Sequence, residues 1–104
     1  MRVITEEDIE GCILIGNDSD RGDFFPAVIG VAKDKSHVAY SREKLEHCFM
    51  KQNGWTVEEA VEWVDYNVER ALPYYGSRAP VIVPNNFIST RNKLYEPVRL
   101  VKEE

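Results

Sequence analysis

The strongest structural signal in the sequence is an amphipathic helix that begins after Thr56 and continues to Leu72. Thr56 and Glu59 match the S/T-x-x-E pattern of a capping box, in which each side chain accepts a hydrogen bond from the other residue's backbone N–H. Apolar residues then recur at helical spacing: Val57, Ala60, Val61, Val64, Val68, Ala71 and Leu72. A helix with one apolar face needs a second layer to cover it. We expect Pro73 to end the helix, because its ring removes a donor and clashes with the preceding turn.

Shorter apolar runs predict the sheet on which this helix packs. Buried strands are expected over residues 12–16, 24–31, 37–40 and 79–83. The first three lie at hairpin spacing, which predicts an antiparallel meander. Ser41 is a good N-cap and Asn53-Gly54 a left-handed stop, so an earlier helix is expected over residues 42–52. The sequence therefore predicts an α+β fold, with a mostly antiparallel sheet of three or four strands covered on one face by a two-helix hairpin.

The length of 104 residues predicts a single domain. Residues 1–11 are acidic and are expected to form a loosely held arm. Residues 85–104 are mostly polar, and we expect a less ordered tail with at most a short edge strand interrupted at Pro97.

Composition excludes several classes of function. The net charge of −5 argues against a direct nucleic-acid or anionic-membrane binder, which would present a basic surface. The longest apolar run, residues 24–32, is too short to span a bilayer and contains Pro26 and Gly30. The first eleven residues show no signal peptide. Cys12 and Cys48 form no CxxC pair and read as small buried thiols, so a cytoplasmic location is expected.

No constellation of residues in the sequence predicts catalysis, a cofactor or a metal centre. His47 and Cys48 are adjacent on the first helix and point apart, and no second ligand pair has zinc spacing. Neither a G-x-S-x-G elbow nor a Gly-rich phosphate loop is present. The acidic loop that contains Asp18, Asp20 and Asp23 fails the EF-hand register. A different cation site at these three aspartates stays open beside a plain solvated loop.

Candidate binding residues collect at the end of the long helix. They are Trp63, Tyr66, Asn67, Arg70, Tyr74, Tyr75 and Arg78. Tyr, Trp and Arg are enriched at the energetic centres of protein interfaces. Asn67 is a poor helix former, which suggests a hydrogen-bonding task. In the alternative interpretation, Asn67 ties down the loop at residues 74–76 and the tyrosines only cover the core.

The acidic face of the same helix has two interpretations. It carries Glu58, Glu59, Glu62, Asp65 and Glu69. These charges exclude a DNA-reading helix, because phosphates would repel them. The face is either a solvated surface or a mimic of nucleic acid that blocks a basic site on an enzyme.

Several short motifs in fixed order resemble a family of small phage and prophage proteins. The resemblance covers residues 11–83, and its motifs include Asn53-Gly54, Glu58-Glu-Ala60, Tyr66-Asn67, Arg70-Ala-Leu-Pro-Tyr74 and Ala79-Pro-Val-Ile-Val83. The family has no assigned activity. The resemblance implies a phage-encoded accessory protein that acts in the host cytoplasm.

Three functions are compatible with these features. The leading hypothesis is a non-enzymatic protein that binds and modulates a host or phage protein, for example an anti-defence inhibitor. The second is a small-molecule or nucleotide binder, or a small enzyme, with a pocket near residues 74–78. The third is a structural protein that self-associates through an exposed strand edge.

Overall fold

A computed structural model of the chain describes residues 1–17, 19–84 and 94–102. The strands are β1 (Arg2–Ile4), β2 (Val28–Ala32), β3 (Val38–Ser41), β4 (Val81–Val83) and β5 (Tyr95–Leu100). The α-helices are α1 (Arg42–Asn53) and α2 (Val57–Trp63). The other helical segments are 3-10 turns at Glu6–Ile9, Arg21–Ala27 and Glu69–Arg78, and a π-helical turn at Val64–Val68. The predicted α+β class is confirmed.

The sheet is larger and more mixed than predicted. Within the described residues it has five strands, in the order β1-β5-β2-β3-β4. β2 pairs antiparallel with both β3 and β5, whereas β1 pairs parallel with β5 and β4 pairs parallel with β3. The prediction of a mostly antiparallel sheet of three or four strands is therefore corrected to a mixed sheet of five.

The predicted first strand at residues 12–16 does not form. Its backbone donors are used elsewhere: Cys12 donates to Ile9, Ile13 donates to the carbonyl of Arg78, and Ile15 donates to the hydroxyl of Tyr40. Because these N–H groups already have hydrogen-bond partners, the segment would gain no further backbone hydrogen bonds by pairing as a β-strand. The second predicted strand also starts late, because residues 24–27 belong to a 3-10 turn that contains Pro26.

Both ends of the chain enter the sheet. Residues 1–11, predicted as a loose arm, contribute β1 and bury Ile4 and Ile9. In the predicted tail, β5 is a central strand rather than an edge strand. Pro97 is tolerated there because it marks a change of partner: β2 pairs with β5 up to Pro97, and β1 pairs with it from Val98 onward. Residues 85–93, 103 and 104 of the predicted tail lie outside the described residues.

The main core lies between the helical layer and one face of the sheet. α1 contributes Leu45 and Phe49, and the second helical stretch contributes Ala60, Val64 and Val68. They pack with alternate sheet residues, among them Val31, Val38, Tyr40, Val98 and Leu100. This arrangement agrees with the predicted helical cover on one face. Val57, predicted as part of the buried stripe, is instead 54% exposed because it occupies the first turn of α2.

The helix ends follow the predicted local chemistry. The Ser41 hydroxyl accepts from the Lys44 N–H, and Gly54, with φ 67°, ends α1 by donating to the Met50 carbonyl. The Thr56–Glu59 capping box is present in both directions. The predicted end at Pro73 is wrong. The α-helix already ends at Trp63 and is followed by the π-helical turn. A 3-10 segment from Glu69 then carries the chain through Pro73 to Arg78, with a break at Gly76. The fixed φ of proline is compatible with helical backbone.

Tyr40 is a fully buried polar side chain at the centre of β3. Its hydroxyl accepts a hydrogen bond from the Ile15 N–H at 3.0 Å, which satisfies the donor of a segment that has no strand partner. Burial raises the pKa of Tyr40 far above its ordinary value of 10.0, although the bond from Ile15 opposes this effect. The folded state therefore holds the phenolic proton more tightly than the unfolded chain does, and this contribution to stability is lost as the pH rises above about 10.

We predict that Tyr40→Phe lowers the free energy of unfolding by about 1–2 kcal/mol at neutral pH, because the Ile15 N–H loses its acceptor. Above about pH 10 the difference should narrow, since only the wild type is penalised for ionising a buried phenol. Urea unfolding followed by tryptophan fluorescence measures both effects. Tyr74→Phe, at an exposed position, is the matched control. The prediction would be contradicted if the difference in unfolding free energy between wild type and Tyr40→Phe stayed constant between about pH 7 and pH 11.

Candidate functional site

A π-helical turn interrupts the second helical stretch where the predicted binding residues begin. It spans Val64–Val68 and is closed by the Glu69 N–H, which donates to the Val64 carbonyl. Val64 and Val68 at its two ends are buried, so the residues between them, Asp65, Tyr66 and Asn67, face outward. π-Helical turns inside α-helices are rare and occur frequently at functional sites.

Trp63 lies just before this turn and is supported by a column of aromatic rings. The column starts in the core, where the Phe24 and Phe49 ring centroids are 4.8 Å apart. Phe49 stacks on Trp55 at 6.3 Å, and Trp55 contacts Trp63 at 5.3 Å. Trp63 is nevertheless 42% exposed. The column therefore holds an exposed indole in a fixed position.

Tyr66 and Arg70 extend the exposed surface by one helical turn. Tyr66 is 55% exposed and follows Trp63 by three residues, inside the π-helical turn that begins directly after Trp63. The guanidinium carbon of Arg70 lies 4.6 Å from the centre of the Tyr66 ring, a cation–π contact. We call Trp63, Tyr66 and Arg70 the aromatic surface.

Tyr74 and Tyr75 lie farther along the 3-10 turn and are also exposed, Tyr74 by 89%. They do not cover the core, which was the alternative interpretation of these tyrosines. Asn67 is exposed as well, and its side chain forms no hydrogen bond with any residue in the described ranges. The expectation that Asn67 ties down residues 74–76 therefore has no support in this geometry.

Arg78 serves the fold rather than the aromatic surface. Its guanidinium donates to the backbone carbonyls of Gly11, Glu10 and Lys35. Gly11 has φ 86°, a backbone conformation that favours glycine, and Arg78 lies directly beside it. Arg78 thereby joins the end of the second helical stretch to the N-terminal segment.

Arg42 fixes the π-helical turn against α1. From the first residue of α1 it donates to Glu46 at 2.7 Å, to Glu69 at 2.7 Å and to Asp65 at 2.6 Å. Burial alone would lower the pKa of Arg42, but the three carboxylates together raise it. Nothing in the sequence pattern singled out Arg42, because two of its three partners lie more than twenty residues away.

This ion cluster changes the interpretation of the acidic face. Asp65 and Glu69 are paired with Arg42, and Glu59 caps its own helix. Glu58 and Glu62 are exposed and form no ion pair within the described ranges. The face is therefore mostly engaged in structural contacts, which argues against mimicry of nucleic acid.

The two histidines have different surroundings. His37 lies in a chain of hydrogen bonds: Nε2 contacts the Tyr95 hydroxyl at 2.8 Å, and Nδ1 contacts Ser36 Oγ at 2.9 Å. Ser36 in turn donates to the Asp34 carboxylate at 2.6 Å, and this bond lowers the pKa of Asp34. The chain ties the β2–β3 turn to β5. His47 is exposed on α1.

The aspartates left open as a cation site and the two cysteines have simple structural explanations. The described residues contain no cluster of three or more His, Cys, Asp or Glu side chains that could hold a metal ion. Of the three candidate aspartates, Asp18 lies outside the described residues, Asp20 accepts from the Asn17 N–H at 2.7 Å, and Asp23 faces Lys102. Cys12 and Cys48 are free, half-buried thiols, and burial raises the pKa of both.

Three clefts are prominent in the described part of the chain, and none is lined by Asn67, Tyr74 or Arg78. The first, of about 700 Å³, lies beside the N-terminal segment, where Glu6 and Arg21 pair at 2.7 Å. The second, of about 620 Å³, opens between β2 and β5. A ligand pocket near residues 74–78 thus has no support among these clefts.

The chain matches no protein-family model, and comparisons with curated proteins and with solved structures gave no significant match. Within the described residues, no helix has the length and apolar character needed to cross a bilayer.

We predict that Arg42→Met lowers the free energy of unfolding by about 1–3 kcal/mol, because three carboxylates lose their shared cation and repel one another. Arg42→Lys should recover only part of this loss, since an ammonium cannot reproduce the fork geometry. Urea unfolding at low and high salt measures the effect, and the difference from wild type should shrink in high salt. In the control Arg2→Met, loss of one exposed pair with Glu96 should change stability by less than about 0.5 kcal/mol. Equal stability of the wild type and Arg42→Met would contradict the prediction.

Proposed function

We propose that this chain is a non-enzymatic protein-binding module that uses the aromatic surface to bind and modulate a partner protein. One observation carries the proposal: Trp63 and Tyr66 stay exposed although an aromatic column and a π-helical turn fix their positions. Large aromatic side chains normally contribute to a fold by being buried. Held rigidly at the surface together with an arginine, they match the residue types that dominate binding energy at interfaces.

Rigidity of the surface favours binding because little side-chain entropy is lost on contact. Trp63 rests on Trp55, and Arg70 lies over Tyr66. The ion cluster around Arg42 holds the turn that separates them. A partner would therefore meet a preformed site.

The charges around the aromatic surface indicate the chemistry of the partner. Glu62 precedes Tyr66 by four residues and so lies beside it on the helix. Neither Glu62 nor Glu58 has an ion pair within the described ranges. We expect a partner with an apolar centre and lysine or arginine side chains at its rim.

The biological setting in this proposal comes from the sequence resemblance. A small acidic module with one binding surface suits a phage-encoded protein that inhibits or redirects a host or phage protein in the host cytoplasm. Self-association is the second candidate, since β1 and β4 are edge strands among the described residues. Each has only three residues, however, and offers a short template for pairing.

The test is affinity capture from a bacterial host lysate with wild-type protein and the double variant Tyr66→Ala/Arg70→Ala. Both residues are exposed, so the variant should stay folded. We expect wild type to retain one stoichiometric protein, and the variant to bind the purified partner at least about tenfold more weakly. Arg2→Ala/Val3→Ala also removes one arginine and one exposed apolar side chain, but from β1, and should bind like wild type. The proposal would be refuted if wild type retained no stoichiometric partner. It would also be refuted if the two double variants bound the partner with equal affinity.

A further inference from the structure

β2 and β5 stop pairing partway along their length, and a cleft opens where the two strands separate. Their pairing ends at Gly30 and Pro97. On one side of this point Val28 pairs with β3, and on the other side residues 98–100 pair with β1. The resulting cleft has a volume of about 620 Å³, which is within the range of sites for small molecules.

The floor of the cleft is part of the core. It includes Phe25, Val28, Ile29, Val98 and Leu100, all of which are buried. Because these side chains are fixed by packing on their other sides, the floor is preformed and apolar. An apolar ligand group would displace water from it without rearranging the sheet.

The rim of the cleft is cationic. Lys44, Arg99 and Lys102 line it, and among the described residues no aspartate or glutamate does. Lys44 and Arg99 form no ion pair within the described ranges, and Lys102 lies 3.9 Å from the exposed Asp23. In a chain of net charge −5, three cations around one apolar cleft form a local positive site.

We infer that this cleft binds a small amphipathic anion, in which an apolar body carries one carboxylate, sulfonate or phosphate group. The apolar body would lie on the floor between β2 and β5, and the anionic group would pair with Lys44 and Arg99. A peptide strand fits less well, because Pro26 and Pro97 at the cleft have no N–H groups to offer it. The cleft shares no residue with the aromatic surface, so this inference is independent of the proposed partner.

The test uses 8-anilinonaphthalene-1-sulfonate, an apolar fluorophore with one sulfonate group. We expect saturable fluorescence enhancement with folded protein that weakens as salt rises. Decanoate should displace the probe, and decanol, which has the same chain length without the charge, should displace it more weakly.

Two double variants separate specific pairing from the effect of net charge. Lys44→Glu/Arg99→Glu reverses the rim, and we expect probe affinity to fall about tenfold or more. Lys33→Glu/Lys51→Glu makes the same change in net charge at residues that do not line the cleft, and its affinity should stay within about twofold of wild type. Urea unfolding confirms that both variants are folded. In addition, Tyr66→Ala/Arg70→Ala should bind the probe like wild type.

Three outcomes would overturn the inference. The first is an absence of saturable probe binding to the folded wild type. The second is an equal loss of affinity in the two charge-reversal variants, which would show that only net charge matters. The third is equal displacement by decanoate and decanol, which would mean that no anion site exists at the rim.

Discussion

The central position of β5 is the constraint on which the rest of the sheet depends. This last strand pairs antiparallel with β2 through its first half and parallel with β1 through its second half. It therefore joins the two ends of the chain to the strands between them, and it supplies Val98 and Leu100 to the main core. The cost of bringing such distant segments together is loop-closure entropy, which the burial of these residues offsets. The change of partner at Pro97 also creates the cleft between β2 and β5.

The helical layer depends on a second constraint, the three carboxylates that surround Arg42. This cluster connects the start of α1 to Asp65 inside the π-helical turn and to Glu69 directly after it. The turn keeps Val64 and Val68 in the core while Tyr66 faces solvent. Arg42 thus contributes both to the packing of α1 against the second helical stretch and to the position of the aromatic surface. Arg42 holds this turn through charge, and the aromatic column holds Trp63, directly before the turn, through ring contacts.

The accuracy of prediction from the sequence depended on how far apart along the chain the interacting residues lie. The caps at Ser41, Gly54 and Thr56 are local, and each was found where its side-chain chemistry required. The tail was expected to add at most a short edge strand, and the central position of β5 could not be recognised. Pro97 argues locally against a central strand, and the partners of this strand lie far away in sequence. The segment at residues 12–16 looked like a strand, but its donors bind a turn, Arg78 and Tyr40 instead of a ladder. Local sequence patterns predict helix caps and the buried face of a helix, whereas strand order depends on contacts between distant residues.

The same distinction applies to the candidate site. Residue type alone singled out Tyr66 and Arg70, whose side chains are in contact, and Trp63, which directly precedes the π-helical turn. It also singled out Arg78, which binds the backbone of the N-terminal segment instead. The most direct test is photo-crosslinking in a bacterial host, with p-benzoylphenylalanine in place of Tyr66 and, separately, in place of the exposed Val3. We expect one discrete protein adduct from position 66 and none from position 3. No adduct from position 66, or the same adducts from both positions, would contradict the assignment of the aromatic surface as a binding site.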